Sequence, residues 1–223
     1  MQLNLRRLTT PFLLALSLFL AACSSDEQPE YVEYPVEQLY NEAMDLLAAK
    51  EYKLSIASFN EVERQHPYSI WATKAQLMVA YVYYLRDDYD ESILALDRFI
   101  ELHPGNKDTP YAYYLRAIVY YEQIVDVERD QRVTRLAMEA LEDVMRRYPD
   151  TAYARDTKLK IDLTKDHLAG KEMAVGRFYL NRREYAAAIN RFKTVISKYQ
   201  TTTHVQEALH RLVEAYISIG IID

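Results

Sequence analysis

Cysteine occurs once in this chain, at Cys23, so no disulfide can form within it. Glycine is nearly as scarce, at four in 223 residues, and no Asn-Gly pair marks a β-hairpin. Alternation of apolar and polar residues is absent too, and the long segments instead place apolar residues three and four apart. Strands are therefore not expected, and the chain reads as all-α. Catalytic signatures are missing as well: there is no glycine-rich phosphate loop, no G-x-S-x-G, no H-E-x-x-H and no paired-cysteine metal site. The five histidines do not cluster, and the carboxylates read as solvent-facing. No enzyme, metal or diffusible cofactor is expected. A formal net charge of −6 argues against nucleic acid as a partner.

What is present begins with a leader. "MQLNLRR" is basic, and "PFLLALSLFLAA" is apolar for twelve residues, short of the about 20 that span a bilayer. Residues 1–22 read as a secretory signal segment. It ends in Leu20-Ala21-Ala22-Cys23, which resembles the lipobox of bacterial lipoproteins. That resemblance implies a covalent diacylglycerol and an N-acyl chain on Cys23. Ser24 in place of Asp implies the periplasmic face of the outer membrane. Each buried CH₂ contributes about 0.8 kcal/mol, so several chains anchor firmly in the inner leaflet. The acidic, proline-bearing stretch that completes 23–35 reads as a tether. Its reach is roughly 40 Å at full extension.

A nine-residue pattern then recurs. "EYKLSIASF" starts at Glu51, "DYDESILAL" at Asp88 and "EYAAAINRF" at Glu184. Each is followed at a fixed distance by a helix end: His66-Pro67, His103-Pro104, and, without proline, Tyr199-Gln200. Tyr148-Pro149 ends a further copy. Eight residues before each end stand Phe59, Leu96, Leu141 and Phe192. Twelve before stand Ser55, Ser92, Ala137 and Ala188. Small residues permit close approach of helices, and large ones fill the gaps. The preceding segments match one another too, through Ala43, Ala80, Ala117 and Gly176. The unit is a helix pair that buries its apolar face by stacking on the next. It resembles the tetratricopeptide pattern, whose period is about 34 residues. Here the ends are 37, 45 and 51 apart, so insertions are expected at 123–133 and in an overlong helix at about 151–182. The expected fold is a superhelical stack of about five tetratricopeptide-like pairs, the last incomplete. Residues 36–122 form its front half and 123–223 its back half.

In such a stack the first helices line a concave face. Positions 2, 5, 9 and 12 of the pattern give Glu37, Tyr40, Met44 and Leu47 in the first pair. They give Lys74, Leu77, Tyr81 and Tyr84 in the second, and Tyr111, Tyr114, Ile118 and Tyr121 in the third. The tyrosines either pack on neighbouring helices or line a peptide groove. As groove residues, Tyr40, Met44, Tyr81, Tyr84, Tyr111, Tyr114 and Tyr121 would offer rigid apolar faces with hydroxyls at their rims. Charge is uneven: residues 24–120 carry 17 acids and 8 bases, whereas 144–198 carry 13 bases and 6 acids. The basic half suits an acidic partner, with Arg177, Arg182, Arg183, Arg191 and Lys193 as candidate contacts.

The lipobox, "ALDRFIELHP" (95–104), "YAYYLRAIVYY" (111–121), "RRYPDTAYARDTK" (146–158) and "DHLAGKEMAVGRFYLNRREYAAAINRF" (166–192) together resemble the BamD (ComL/YfiO) family of outer-membrane assembly lipoproteins. The resemblance covers nearly the whole chain. It implies a non-enzymatic scaffold of the outer-membrane β-barrel assembly machinery. It further implies docking of the C-terminal repeats on the POTRA domains of a BamA-type barrel protein, and contact with other assembly lipoproteins. The N-terminal groove would receive the aromatic-ended C-termini of unfolded outer-membrane proteins. Arg191, in "INRF", matches a family arginine and is expected at the docking contact. A different reading is a periplasmic scaffold for peptidoglycan synthesis or division enzymes. A wall-modifying enzyme would need an acid pair in a cleft, which the sequence does not offer.

Overall fold

The computed structural model describes residues 32–221, and within them every regular element is helical. The signal segment 1–22, Cys23 and most of the tether fall outside the described residues. From Pro35 onward the chain forms one compact unit. Its helices are α1 (Val36–Ala48), α2 (Tyr52–Gln65), α3 (Ile70–Leu85), α4 (Tyr89–Leu102), α5 (Thr109–Glu122), α6 (Arg132–Arg147), α7 (Ala152–Asn181), α8 (Tyr185–Lys198) and α9 (Val205–Ser218). They make four antiparallel pairs and the first helix of a fifth.

Local chemistry sets the boundaries. The side chain of Ser69 accepts from the Ala72 N–H at 3.0 Å, and that of Thr151 from the Ala154 N–H at 3.2 Å, which caps α3 and α7. Pro110 sits in the first turn of α5, where its missing N–H costs nothing. The second helices all end alike. His66, His103, Tyr148 and Tyr199 have φ between −133° and −124° and ψ between 45° and 57°. Tyr199 reaches this geometry without a following proline, so the turn is set by packing as much as by proline.

The turns inside the pairs repeat as well. Lys50, Asp87 and Arg183 have φ of 61°, 61° and 64°. In each turn the next residue donates back to a helix carbonyl: Glu51 to Leu46 at 2.9 Å, Asp88 to Tyr83 at 3.0 Å and Glu184 to Tyr179 at 3.0 Å. The left-handed residue itself donates to Leu47, Tyr84 or Leu180. This is the Schellman arrangement, built three times without glycine. The third pair lacks it because residues 123–131 form an irregular insertion there.

The register predicted from the repeats fixes the core. Phe59, Leu141, Phe192 and Leu96 are fully buried, as are Ser55, Ser92, Ala137 and Ala188. Where the small residue is serine, its hydroxyl donates to a carbonyl of the preceding helix: Ser55 to Ala43 and Ser92 to Ala80, both at 2.9 Å. Gly176 takes the place of Ala43 and Ala80 because the ring of Phe192 fills the space a Cβ would need. Each apolar cluster joins one pair to the first helix of the next, from Leu39, Phe59 and Val82 at the front to Ala169, Phe192 and Ala215 at the back.

First helices of successive pairs approach one another directly, α1 to α3, α3 to α5, α5 to α7 and α7 to α9. Among the described residues the second helices do not. They are bridged by side chains instead, as in Arg98 of α4 to Glu63 of α2 at 3.0 Å. The side on which backbones crowd is the inner side of the stack. Its surface belongs to α1, α3, α5, α7 and α9.

Candidate functional site

The inner face of α3, α5 and the front of α7 carries an aromatic strip. Tyr81 and Tyr84 stand 6.3 Å apart, centroid to centroid, on α3. On α5, Tyr111 and Tyr114 both pack on Tyr153 of α7, at 5.7 and 5.1 Å, the second pair stacked. The Tyr114 hydroxyl donates to Asp156 at 2.7 Å. Asp156 also pairs with Lys160 at 3.1 Å, and the Lys160 ammonium lies 5.4 Å from the centroid of Tyr121. α5 and α7 are thus tied into one surface, beside the two tyrosines of α3.

These rings are half-buried, so the two readings of the tyrosines are not exclusive. One face of Tyr81, Tyr84 and Tyr111 packs on the cluster that includes Leu96 and Phe99. Tyr114, Tyr121 and Tyr153 pack on the cluster around Leu141. Burial pushes the Tyr111 phenol up to about 12, with the neighbouring Tyr81 and Tyr153 adding to it. Tyr114 is pushed up further, by burial first and then by its bond to Asp156. Burial also raises Tyr84, with Glu122 next in effect. All three remain neutral hydrogen-bonding groups at physiological pH.

The other predicted groove positions divide. Tyr40 leans against Phe59 at 5.4 Å and Trp71 at 4.8 Å and belongs to the first cluster. Met44 is exposed. Leu77 and Ile118 are buried between helices, at 7% exposure each, because α3 and α5 turn those positions toward their neighbours. They are core residues and not groove residues.

Tyr153, Asp156 and Lys160 were not among the groove residues expected from sequence. Asp156 stands seven residues after Pro149 as Tyr111 stands seven after Pro104, but the length of α7 obscures where its repeat begins, and Tyr153 and Lys160 fall off that register. Asp156 and Asp166 also differ from the solvent-facing role expected of carboxylates. Asp166 accepts from the backbone and hydroxyl of Thr203, both at 2.8 Å, and so fastens the loop before α9 to α7.

The candidate docking cations lie on α7 and α8 and at the turn between them, and several already have partners. Arg177 reaches Glu207 at 3.1 Å, and Arg191 reaches Glu172 at 3.1 Å. Arg182 lies over the Phe178 ring at 4.4 Å, and Lys193 over Tyr216 at 5.5 Å. Arg183 holds the left-handed position of its turn. Arg191 faces α7 and Lys193 faces α9, so these two occupy opposite flanks of α8. Arg182, Arg183 and Arg191 lie exposed at the α7–α8 edge.

Among the described residues no group of three metal-ligating side chains comes together. No described helix is long and apolar enough to cross a membrane.

An outer membrane protein assembly factor BamD from Caulobacter vibrioides is 54% identical over 191 residues, covering 86% of this chain and 63% of its own length. The protein of the same name from Rickettsia prowazekii is 47% identical over 211 residues, covering 95% of this chain and 84% of its own. This chain thus spans just under two thirds of the first relative. A solved tetratricopeptide repeat protein from Parabacteroides merdae is similar over 83% of this chain and 74% of its own, at 12% identity and a TM-score of 0.44. The family described as YfiO, outer membrane lipoprotein, matches residues 32–223. The chain belongs to that family of outer membrane lipoproteins.

Proposed function

We propose that this protein is a non-enzymatic assembly factor for outer-membrane β-barrel proteins, held on the periplasmic face of the outer membrane by lipid on Cys23. The front half receives the C-terminal segment of an unfolded barrel protein. The back half docks on the POTRA domains of a BamA-type barrel, beside other assembly lipoproteins. The observation that carries this reading is the strip Tyr81, Tyr84, Tyr111, Tyr114 and Tyr153: ring contacts join α5 to α7, and Tyr81, Tyr84 and Tyr111 share one apolar cluster. Rigid aromatic faces with hydroxyl rims suit an extended segment ending in an aromatic residue, because they bury apolar area at little entropic cost. Family membership supports the same reading, since the relatives bear the name of assembly factors.

Docking rests on charge. The back half carries the excess of basic residues, and Arg182, Arg183 and Arg191 stand exposed at the α7–α8 edge. An acidic patch on a POTRA domain would pair with that edge. The test is purification of the lipoprotein from native membranes in mild detergent, followed by mass spectrometry. A POTRA-bearing barrel at about one to one is expected. Wall synthases or amidases in its place would replace this reading with that of a wall scaffold.

A further inference from the structure

The aromatic strip stops at Tyr153, yet the inner face does not. Past Asp156, Leu159 and Leu163 follow three and seven residues on and so lie on the same side of α7. Both are large apolar residues left open, at 62% and 52% exposure. They stand one helical turn apart and so share a face. The opposite face of the same helix buries Thr157, Thr164 and Leu168 in the stack. The helix therefore has one side packed into the stack and a separate apolar step that joins none of the core clusters of the described residues.

That step is continuous with the strip. Asp156 precedes Leu159 by three residues and is held by the Tyr114 hydroxyl. Lys160, next to Leu159, lies against Tyr121. Charge also changes sign along the stack, from residues 36–120, with 13 acids and 8 bases, to residues 144–198, with 13 bases and 6 acids. A bound segment whose only terminal charge is a C-terminal carboxylate is oriented by such a field, with that end toward α7.

We infer that the groove continues onto α7, where Leu159 and Leu163 take an apolar side chain of the same extended segment that occupies the tyrosine strip, with its C-terminal end lying over α7. This rests on the function proposed above. Neighbouring helices stand 8–10 Å apart and a strand rises about 3.3 Å per residue. The side chain over α7 is therefore separated by about two to four residues from the one in the strip. Specificity then comes from a spaced pair of apolar residues, and a single terminal aromatic is insufficient.

The test is fluorescence anisotropy with a labelled synthetic peptide of about twelve alternating polar and apolar residues ending in phenylalanine, long enough to span about 40 Å. The whole chain is compared with the variants Leu159→Ser/Leu163→Ser and Tyr84→Ala. Both leucines are exposed, so the double variant is expected to keep its helix content and melting temperature. Its affinity is expected to fall roughly tenfold, in keeping with lost burial of one apolar side chain. A benzophenone amino acid at position 163 is expected to cross-link to the C-terminal third of the peptide. If Tyr84→Ala weakens binding while the leucine variant binds as the parent does, the extension onto α7 is wrong and the groove stands. Cross-linking to the N-terminal third overturns the orientation. If the parent chain does not bind the peptide at all, the groove reading itself fails, and this inference with it.

Discussion

Phe192 stands so close to Gly176 that a Cβ built on the glycine would lie 2.4 Å from the ring Cε1. The contact joins the long helix α7 to α8, and Phe192 is fully buried, so its ring cannot swing away. Gly176→Ala gains helix propensity of about 1 kcal/mol but forces overpacking that costs about 1–3 kcal/mol. Net destabilisation is expected in chemical denaturation. Phe192→Leu added to it is expected to recover part of the loss, which identifies the clash as the cause. Gly170 offers the internal comparison: there a Cβ would meet His204 Nε2 at 3.1 Å, a contact at the edge of a half-buried side chain, and the cost of Gly170→Ala is expected to be smaller.

Lys50 and Arg183 occupy left-handed turns that cost a side chain roughly 1 kcal/mol relative to glycine. Lys50→Gly and Arg183→Gly are expected to raise the melting temperature slightly, or to leave it unchanged. Thermal unfolding followed by circular dichroism checks this. A clear loss of stability would mean that the side chains, and not the backbone, hold these turns.

Much of the stack was legible before the structure. Proline after His66, His103 and Tyr148, together with the constant spacing to Phe59, Leu96 and Leu141, located helix ends and core positions. Packing between helices imposes a strict register, and a strict register leaves a trace in sequence. The turns left none. Lys50, Asp87 and Arg183 share no chemistry, because backbone hydrogen bonds build the Schellman geometry and the side chain only has to tolerate it. The candidate site was half legible. Tyrosines on α3 and α5 followed from the repeat, but Tyr153 and Asp156 were hidden by the length of α7, which obscures where its repeat begins. Pairings such as Arg177 with Glu207, 30 residues apart, depend on the fold and have no local signature.

Tyr114 and Asp156 give a pH signature. The Asp156 carboxyl is held below its ordinary value, first by the Tyr114 hydroxyl and, against the opposing effect of burial, by Lys160. A value lowered by folding contributes stability that is complete above the unfolded value of about 4 and is lost as pH falls through the folded value. Tyr114→Phe is therefore expected to destabilise at pH 7 by about 1 kcal/mol or less, since Asp156 is partly exposed. Denaturation of both proteins across pH 3–7 should show the difference shrinking below about pH 4. A difference that stays constant with pH would mean the bond is absent in solution.

Arg191 separates folding from docking. Its pair with Glu172 is at the surface, and such pairs contribute about 0–1 kcal/mol. Arg191→Glu is expected to unfold near the parent temperature while its association with POTRA domains weakens by roughly tenfold or more. Sedimentation or surface plasmon resonance at low and high salt reads both the loss and its screening. Unchanged association at both salt concentrations would remove Arg191 from the docking surface.

The central claim is that the tyrosine strip holds part of the C-terminal segment of unfolded barrel proteins, a segment that ends in an aromatic residue. Isothermal titration of the whole chain with such a peptide, beside the same peptide ending in alanine, tests it most directly when repeated on Tyr81→Ala and Tyr84→Ala. Binding that depends on the terminal aromatic, and that falls roughly tenfold in both tyrosine variants with helix content intact, is the expected result. Equal binding of both peptides, or unchanged affinity in folded tyrosine variants, would contradict it.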